Sequence, residues 1–309
     1  MSDAMIIVLT AGLVATACAL LGPFLIVRRV ALLGDAVSHA VLPGIVVAFL
    51  IFQTRAPLVT VLGAAVFAVI CVLAIEALRS TGLMADDAAI GLVFPALFAL
   101  GVLGIQRYAD DLHLDLDSTI YGEIAFSPFW TIEVGDWLLA RSVVTMGVVA
   151  AVNLALVALL WKELKVTSFD PEFARTVRIP PRWVARILLI AVAVTAVTAF
   201  ESVGAILVVT LLIVPAAAAY LLTDRLVVMV LVSVGIGWAS AVAGYAGAVA
   251  IDASIAGAMG LVAAGLFALT LALSPRYGLI ARAVRRHRRR AEIARALSPS
   301  DPAVPETAA

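Results

Sequence analysis

Long apolar runs separated by short polar segments dominate this sequence. Taking about 20 apolar residues as the length of one membrane-spanning helix, the pattern predicts nine spans, at residues 4–27, 36–53, 57–78, 87–106, 137–161, 183–200, 202–222, 226–250 and 255–273. Several of these runs are rich in glycine and alanine, which allows close contact between helices. We therefore expect an all-α, polytopic transmembrane bundle.

The composition excludes a soluble domain, and the two cysteines do not indicate a disulfide or a thiolate metal site. Hydrophobic residues make up 64% of the 309, charged residues 14%, and the mean hydropathy is +1.13. Cys18 and Cys71 both fall in apolar runs, so neither a disulfide nor a thiolate metal site is predicted. Residues 1–275 are expected to form the membrane domain, and residues 276–309 a basic cytoplasmic tail with a disordered end.

The positions of lysine and arginine predict the orientation, although the formal net charge is zero. With the N-terminus outside, 18 of the 21 basic residues fall on the cytoplasmic side, and only Arg55, Arg107 and Arg141 fall outside. Cytoplasmic loops carry such an excess of positive charge. An N-out, C-in chain in the cytoplasmic membrane is predicted.

An aspartate and a histidine stand inside an otherwise apolar stretch, RRVALLGDAVSHAVLPG, at residues 28–44. Asp35 and His39 are four residues apart, so on a helix they share one face. Ionisable residues at such depth usually face a cavity or a transport path, which favours a cation site. The alternative is a capping or interhelical hydrogen-bonded pair. Pro43 predicts a kink or an unwound stretch that would free backbone carbonyls beside the pair.

Two long polar loops interrupt the apolar pattern. The predicted outer loop, residues 107–136, is rich in acids, and its candidate metal entrance consists of His113, Asp115 and Asp117. It would attract cations, although an ordinary solvated loop explains it equally well. The predicted cytoplasmic loop, residues 162–183, contains Asp170, Pro171 and Glu172, which predict a helix start there.

Pro180 and Pro181 are expected to end this short cytoplasmic helix. Phe169 and Phe173 would be its exposed apolar anchors, as a docking element for a partner protein requires. An amphipathic connector without a partner is the alternative. Within the spans, Asn153 is expected to bond to a neighbouring helix.

Six blocks of sequence, in this order and spacing, resemble the ABC-3 permease family, the membrane subunits of metal-ion ABC importers. They are RRVALLGDAVSHAVLPG, DDAAIGLVFPALFALGV, HLDLDSTIYGEIAF, VTSFDPEFART, ESVGAILVVTLLIVPAAAAYLLTDRL and LALSPRYGLIAR. The resemblance covers residues 10–281. It implies a type II ABC importer-like permease, paired as a homo- or heterodimer, with a separate cytoplasmic ATPase and an extracytoplasmic metal-binding protein.

The resemblance also implies roles for particular residues. Asp35 and His39 match residues that line the metal path in this family, and Glu201 adds an acidic group where many relatives have glutamine. The ATPase-coupling element is matched by Ser168, Phe169, Asp170, Pro171, Glu172, Phe173 and Ala174. The acidic block HLDLDSTIYGEIAF is more similar to manganese-associated members than to zinc members.

The sequence therefore predicts a permease that imports divalent metal ions, with manganese favoured over zinc or ferrous iron. The metal is the cargo; no cofactor and no nucleic acid is expected, and membrane lipid surrounds the chain. No GxxxxGK[ST] motif occurs, so another chain must hydrolyse ATP. An ion-coupled secondary transporter with Asp35 and Glu201 as a proton relay is the alternative. An intramembrane metalloenzyme is disfavoured because HExxH is absent.

Overall fold

Eleven α-helices make up most of the described part of the chain. A computed structural model describes residues 2–30, 33–54, 56–83, 85–108, 124–134, 137–274 and 278. The helices are α1 Asp3–Val27, α2 Leu33–Phe52, α3 Pro57–Ser80, α4 Asp86–Tyr108, α5 Arg141–Leu159, α6 Trp161–Phe169, α7 Pro171–Thr176, α8 Pro181–Val203, α9 Ala205–Leu222, α10 Leu226–Ile251 and α11 Ile255–Leu273. A 3-10 helix, Ile124–Phe129, and a two-stranded hairpin precede α5.

Nine of the helices in the described ranges are 18 to 26 residues long, and each corresponds to one predicted span. Seven of them are long and apolar enough to cross a membrane, and α2 and α4 contain the shorter apolar stretches Leu42–Phe52 and Ala88–Gly104. The expectation of a helical, polytopic membrane protein is thereby confirmed.

The start of the fifth predicted span is wrong. Trp137–Ala140 form strand β2, which pairs antiparallel with strand β1, Thr131–Val134. The fifth long helix therefore begins only at Arg141. An apolar run of four residues suits a strand as well as a helix, and here the partner strand decides. A break at Leu160 then separates α5 from α6.

Helix α1 lies at the centre of the bundle and packs against α5, α8, α9 and α10. Small residues on α1 allow this close packing. A Cβ at Gly12 would lie 2.5 Å from the ring of Trp238, and one at Gly22 would overlap the carbonyl oxygen of Leu212. The centre of the bundle is thus fixed by backbone contact as well as by apolar side chains.

A buried polar contact joins α1, α5 and α8 in the middle of the bundle. The amide of Asn153 donates to the carbonyl of Ala17 at 3.1 Å and to the hydroxyl of Thr195 at 2.8 Å. Asn153 and Thr195 are both buried. The expected interhelical bond of Asn153 is confirmed.

Contacts at the helix ends define the two ends of the bundle and show that α1 and α5 run in the same direction. At one end, Thr10 of α1 lies 3.1 Å from Ser142 of α5, close to the hairpin; this is called the hairpin end. At the other end, Arg28 after α1 bonds to Thr167 and Ser168 of α6; this is called the α6 end. Helix α2 begins at the α6 end, since only five residues separate it from α1.

Candidate metal path and coupling segment

Asp35 and His39 both lie on α2, close to its start. Because α2 begins at Leu33, Asp35 is in the first turn and His39 is one turn further, about 6 Å along the axis. The spacing of four residues places the two positions on one face of the helix. Both are in the half of α2 nearest the α6 end, and their side chains lie outside the described part of the structure.

Pro43 lies in the interior of α2 without interrupting it. The helix continues from Leu33 to Phe52, so the chain is not unwound at this proline. Proline has no N–H group, however, so the carbonyl of His39 cannot receive the usual helical bond from residue 43. The freed carbonyl that was expected beside the pair therefore belongs to His39 itself.

Glycines fix α2 against its neighbours directly after the His39 turn. A Cβ at Gly44 would lie 2.8 Å from the Cα of Ala64 and would overlap the carbonyl oxygen of Gly63. A Cβ at Gly101 of α4 would lie 2.8 Å from the nitrogen of Pro43. These positions pack backbone against backbone, so neighbouring helices cannot shift here without disturbing α2.

The first turn of α2 is also in contact with α3. The Sγ–H of Cys71 donates to the carbonyl of Ala36, the residue after Asp35, at 3.9 Å. Ala36, Ala40 and Cys71 are all buried. The backbone that carries the predicted metal residues is thus held by α3 on both sides of the His39 turn.

Glu201 lies at the hairpin end, away from Asp35. Its Oε1 is 3.1 Å from Nη2 of Arg141, and the two side chains are 39% and 35% exposed. Helix α8 begins at the α6 end. Glu201 lies fifteen residues beyond Arg186 on this helix, so the helix rises about 22 Å between the two residues. The structure therefore does not bring Glu201 together with Asp35 and His39.

The predicted outer entrance lies outside the described residues; it consists of His113, Asp115 and Asp117. The chain resumes at Ile124, which is buried, and the nearby aromatic side chains of Phe126, Phe129 and Trp130 are exposed. Among the described side chains, no three histidine, cysteine, aspartate or glutamate residues cluster as a metal site.

The coupling segment, residues 168–174, runs from the end of α6 into α7. Asp170 caps α7: its Oδ1 accepts from the N–H of Phe173 at 2.8 Å, and Pro171 occupies the first helical position. Such a cap stabilises a short helix. The predicted helix start is confirmed.

The end of α7 differs from the prediction. It stops at Thr176, before the two prolines, because Arg178 adopts a φ of 62° and Ile179 N–H returns to the carbonyl of Ala174 at 2.9 Å. This is the Schellman arrangement that ends many helices. The backbone had already turned when it reached Pro180.

The two phenylalanines of the coupling segment project outward. Phe169 is 57% exposed and Phe173 is 53% exposed, while Ala174 is buried against the rest of the chain. Glu172 and Arg175 form an exposed ion pair at 2.8 Å beside them. The segment presents an apolar surface with a charged rim, as a protein-binding element does.

Arg28 joins the end of α1 to the start of the coupling segment. Its Nε donates to Ser168 Oγ at 2.9 Å and its Nη2 donates to Thr167 Oγ1 at 2.7 Å. Burial lowers the pKa of Arg28 to about 10, so it stays protonated at neutral pH. Sequence reasoning counted Arg28 only as a cytoplasmic charge, and no local pattern connects residue 28 with the hydroxyls at 167 and 168.

A second contact connects α3 to α8 at the same end of the bundle. Nε of Arg186 donates to Oε2 of Glu76 at 2.8 Å, and the Glu76 side chain is only 15% exposed. The guanidinium carbon of Arg186 also lies 5.4 Å from the ring centre of Trp183. Helix α8 follows the coupling segment in the chain, so the Arg186–Glu76 pair connects the C-terminal side of the segment to α3.

Comparison with known proteins gives a consistent result. The profile of the ABC 3 transport family matches residues 1–274. The chain is 43% identical over 276 residues to the zinc transport system membrane protein TroD of Treponema pallidum (strain Nichols), covering 89% of this chain and 75% of that protein. It is 40% identical over 287 residues to the manganese transport system membrane protein MntD of Bacillus subtilis (strain 168), covering 90% and 95%.

A solved structure has the same fold. The structure titled PsaBC from Streptococcus pneumoniae in complex with Fab contains a chain that is 30% identical, with a TM-score of 0.70. The match covers 89% of this chain and 92% of that chain.

Proposed function

Because the chain belongs to the ABC 3 transport family, we propose that it imports divalent transition-metal ions as the membrane permease of an ATP-driven transporter. The family match over residues 1–274 carries this proposal. The chain is a multi-pass membrane subunit of an ABC transporter and is not itself the ATPase. Its role is to provide the path, while the energy comes from a separate subunit.

Asp35 and His39 are proposed as metal ligands along this path. A carboxylate oxygen and an imidazole nitrogen, with the freed carbonyl of His39, form a mixed donor set that manganese, ferrous iron and zinc accept. Two or three protein donors leave positions for water, so the ion can be released. A closed four-ligand site would hold it too tightly for transport.

The α6 end is proposed as the cytoplasmic end. Ten of the described basic residues lie at this end, against Arg107 and Arg141 at the hairpin end, in agreement with the positive-inside rule. The basic residues are Arg28, Arg29, Arg79, Lys162, Lys165, Arg175, Arg178, Arg182, Arg186 and Arg225. The ion would enter at the hairpin end, near Glu201 and the acidic loop with His113, Asp115 and Asp117, and leave past Asp35.

The coupling segment is proposed to contact the cytoplasmic ATPase through Phe169 and Phe173. Their exposure on a capped, positioned helix at the α6 end supports this role. A metal-binding protein would deliver the ion at the opposite end, and a second permease copy, identical or related, would complete the path. We propose that these subunits assemble in the arrangement of a type II ABC importer.

Manganese is the favoured cargo, and zinc and ferrous iron are the competing candidates. The acidic block at residues 113–126 favours manganese. The relatives at 43% and 40% identity are named for zinc and for manganese. Direct competition is therefore the decisive measurement.

The proposal is tested by radiometal uptake into vesicles that contain the permease reconstituted with its ATPase and binding protein. Asp35→Asn and His39→Gln keep the shape of each side chain but weaken it as a ligand, so uptake should fall at least about tenfold while ATP hydrolysis persists. Asp252→Asn, at the hairpin end in a left-handed conformation that asparagine also tolerates, is the control. Unchanged uptake in both ligand variants would reject the site.

Uptake into the same vesicles also tests the alternative of ion-coupled secondary transport. Uptake should require ATP, and a proton gradient imposed without the ATPase should not replace it. A relay between Asp35 and Glu201 has no support in the fold, because the two residues lie at opposite ends of the bundle. Competition by manganese, zinc and iron in parallel assigns the cargo.

A further inference from the structure

We propose that Arg28 is a positioning residue that passes movement of the coupling segment to the first turn of α2. This inference rests on the proposed function. Arg28 donates to Ser168 and to Thr167 at 2.9 and 2.7 Å. Both hydroxyls already donate their own hydrogens to α6, Ser168 to Leu164 at 2.6 Å and Thr167 to Glu163 at 2.7 Å. Their lone pairs are thus oriented toward the guanidinium.

A second contact makes the connection between α1 and α6 rigid. Phe24, one turn before Arg28, packs edge-on against Trp161 with ring centres 6.0 Å apart and an interplanar angle of 77°. Trp161 begins α6, whereas Thr167 and Ser168 end it. Helix α6 is therefore attached at both ends to the last turn of α1, and the two move together.

The end of α1 is itself a fixed structure. Arg29 adopts a φ of 58°, Val30 N–H bonds to the carbonyl of Leu25 at 3.0 Å, and Arg29 N–H bonds to that of Ile26 at 3.0 Å. This is a Schellman motif, and the buried Val30 secures it. The guanidinium of Arg28 thus projects from a backbone that cannot turn freely.

The connection from this motif to α2 is short. Two residues separate Val30 from Leu33, so the gap spans at most about 11 Å. Asp35 follows two residues later. Because this gap is short, a displacement of α6 that Arg28 transmits to the end of α1 can reach the first turn of α2, whose later turns are held by backbone contact with α3 and α4.

The chemistry of Arg28 suits transmission better than a lysine would. Two donors in one plane resist sliding in two directions, whereas an ammonium group pivots about a single point. Ser168 is the first residue of the coupling segment and precedes the exposed Phe169. One peptide unit joins Phe169 to Ser168, so force that a partner applies at Phe169 reaches the two hydrogen bonds of the Arg28 guanidinium directly.

The test compares ions transported per ATP hydrolysed in the reconstituted complex. Arg28→Gln should lower this ratio at least about tenfold, with ATP hydrolysis within about twofold of the parent chain, because the charged bonds are lost while the docking surface remains. Arg28→Lys should be nearly as impaired. Arg29→Gln, at the neighbouring exposed arginine, should leave the ratio unchanged.

A double variant from the other side of the contact makes the test independent of how well Arg28 variants fold. Thr167→Val with Ser168→Ala removes both acceptors, and adding Arg28→Gln to it should cause no further loss. Metal affinity of the purified permease should stay within about twofold in every variant, since none of them touches the proposed ligands.

Three results would overturn the inference. A parallel fall in ATP hydrolysis and uptake would indicate a merely structural or docking role. Full recovery in Arg28→Lys would indicate that charge alone matters, and unchanged ratios in all variants would remove the role entirely. A parent complex without ATP-dependent uptake would instead reject the proposed function, and this inference with it.

Discussion

Gly44 offers a direct test of the backbone contact between α2 and α3. In Gly44→Ala, the new methyl group would overlap the carbonyl oxygen of Gly63 and lie 2.8 Å from the Cα of Ala64. These neighbours are backbone atoms, so no side chain can rotate away. Overpacking costs about 1–3 kcal/mol, and the upper part of that range applies here. Alanine regains up to about 1 kcal/mol of helix propensity over glycine.

The expected net effect of Gly44→Ala is a loss of about 1–2 kcal/mol in the free energy of unfolding. Thermal unfolding of the purified chain in detergent, with and without denaturant, measures it. Gly91→Ala on α4 is the matched control, because its methyl group would meet no described atom within 4 Å. That variant should be neutral or slightly stabilised. Equal stability of the two variants would refute the close packing of α2 on α3.

Two further predictions concern α2 and the middle of the bundle. Pro43→Ala restores an N–H that can bond to the carbonyl of His39, so metal affinity measured by radiometal binding should fall by about threefold to tenfold while thermal stability rises; unchanged affinity would show that this carbonyl is not a donor. Asn153→Ala removes both interhelical bonds and should cost about 0.6–1.7 kcal/mol in unfolding free energy. Thr195→Val should share most of that loss in a double-mutant cycle, and full additivity would contradict the shared contact.

The long helices could be predicted from the sequence because a membrane imposes a single length on apolar runs. Each predicted span has its helix, and Asn153 bonds as expected of a polar residue among apolar helices. Local boundaries were harder. The strand Trp137–Ala140 carries no charge or periodicity that distinguishes it from the helix that follows. Its hairpin partner Thr131–Val134 is only two residues away, and the sequence signal for that hairpin, Gly135 followed by Asp136, was missed because the apolar run was assigned to a span.

The candidate site was predictable in its residue types but not in its supports. The cost of placing Asp35 and His39 in an apolar segment is visible in one dimension. The separation of Glu201 from Asp35 follows from the same pattern, because the predicted spans place Asp35 at the start of the second span and Glu201 at the end of the sixth. Arg28 finds its acceptors about 140 residues away, at Thr167 and Ser168, a pairing that no local pattern in the sequence announces.

The place of Asp35 in the first turn of α2 has a kinetic consequence. The amide dipoles of a helix give its N-terminus about half a positive charge, which stabilises a nearby carboxylate by about 0.3–1 kcal/mol. A divalent cation at the proposed site has twice the charge and loses about 0.6–2 kcal/mol of attraction, so its residence time would shorten by about three- to thirtyfold. For the proposed permease this is useful: the helix that carries Asp35 would also hasten the departure of the ion, at the end of the bundle where we propose it is released.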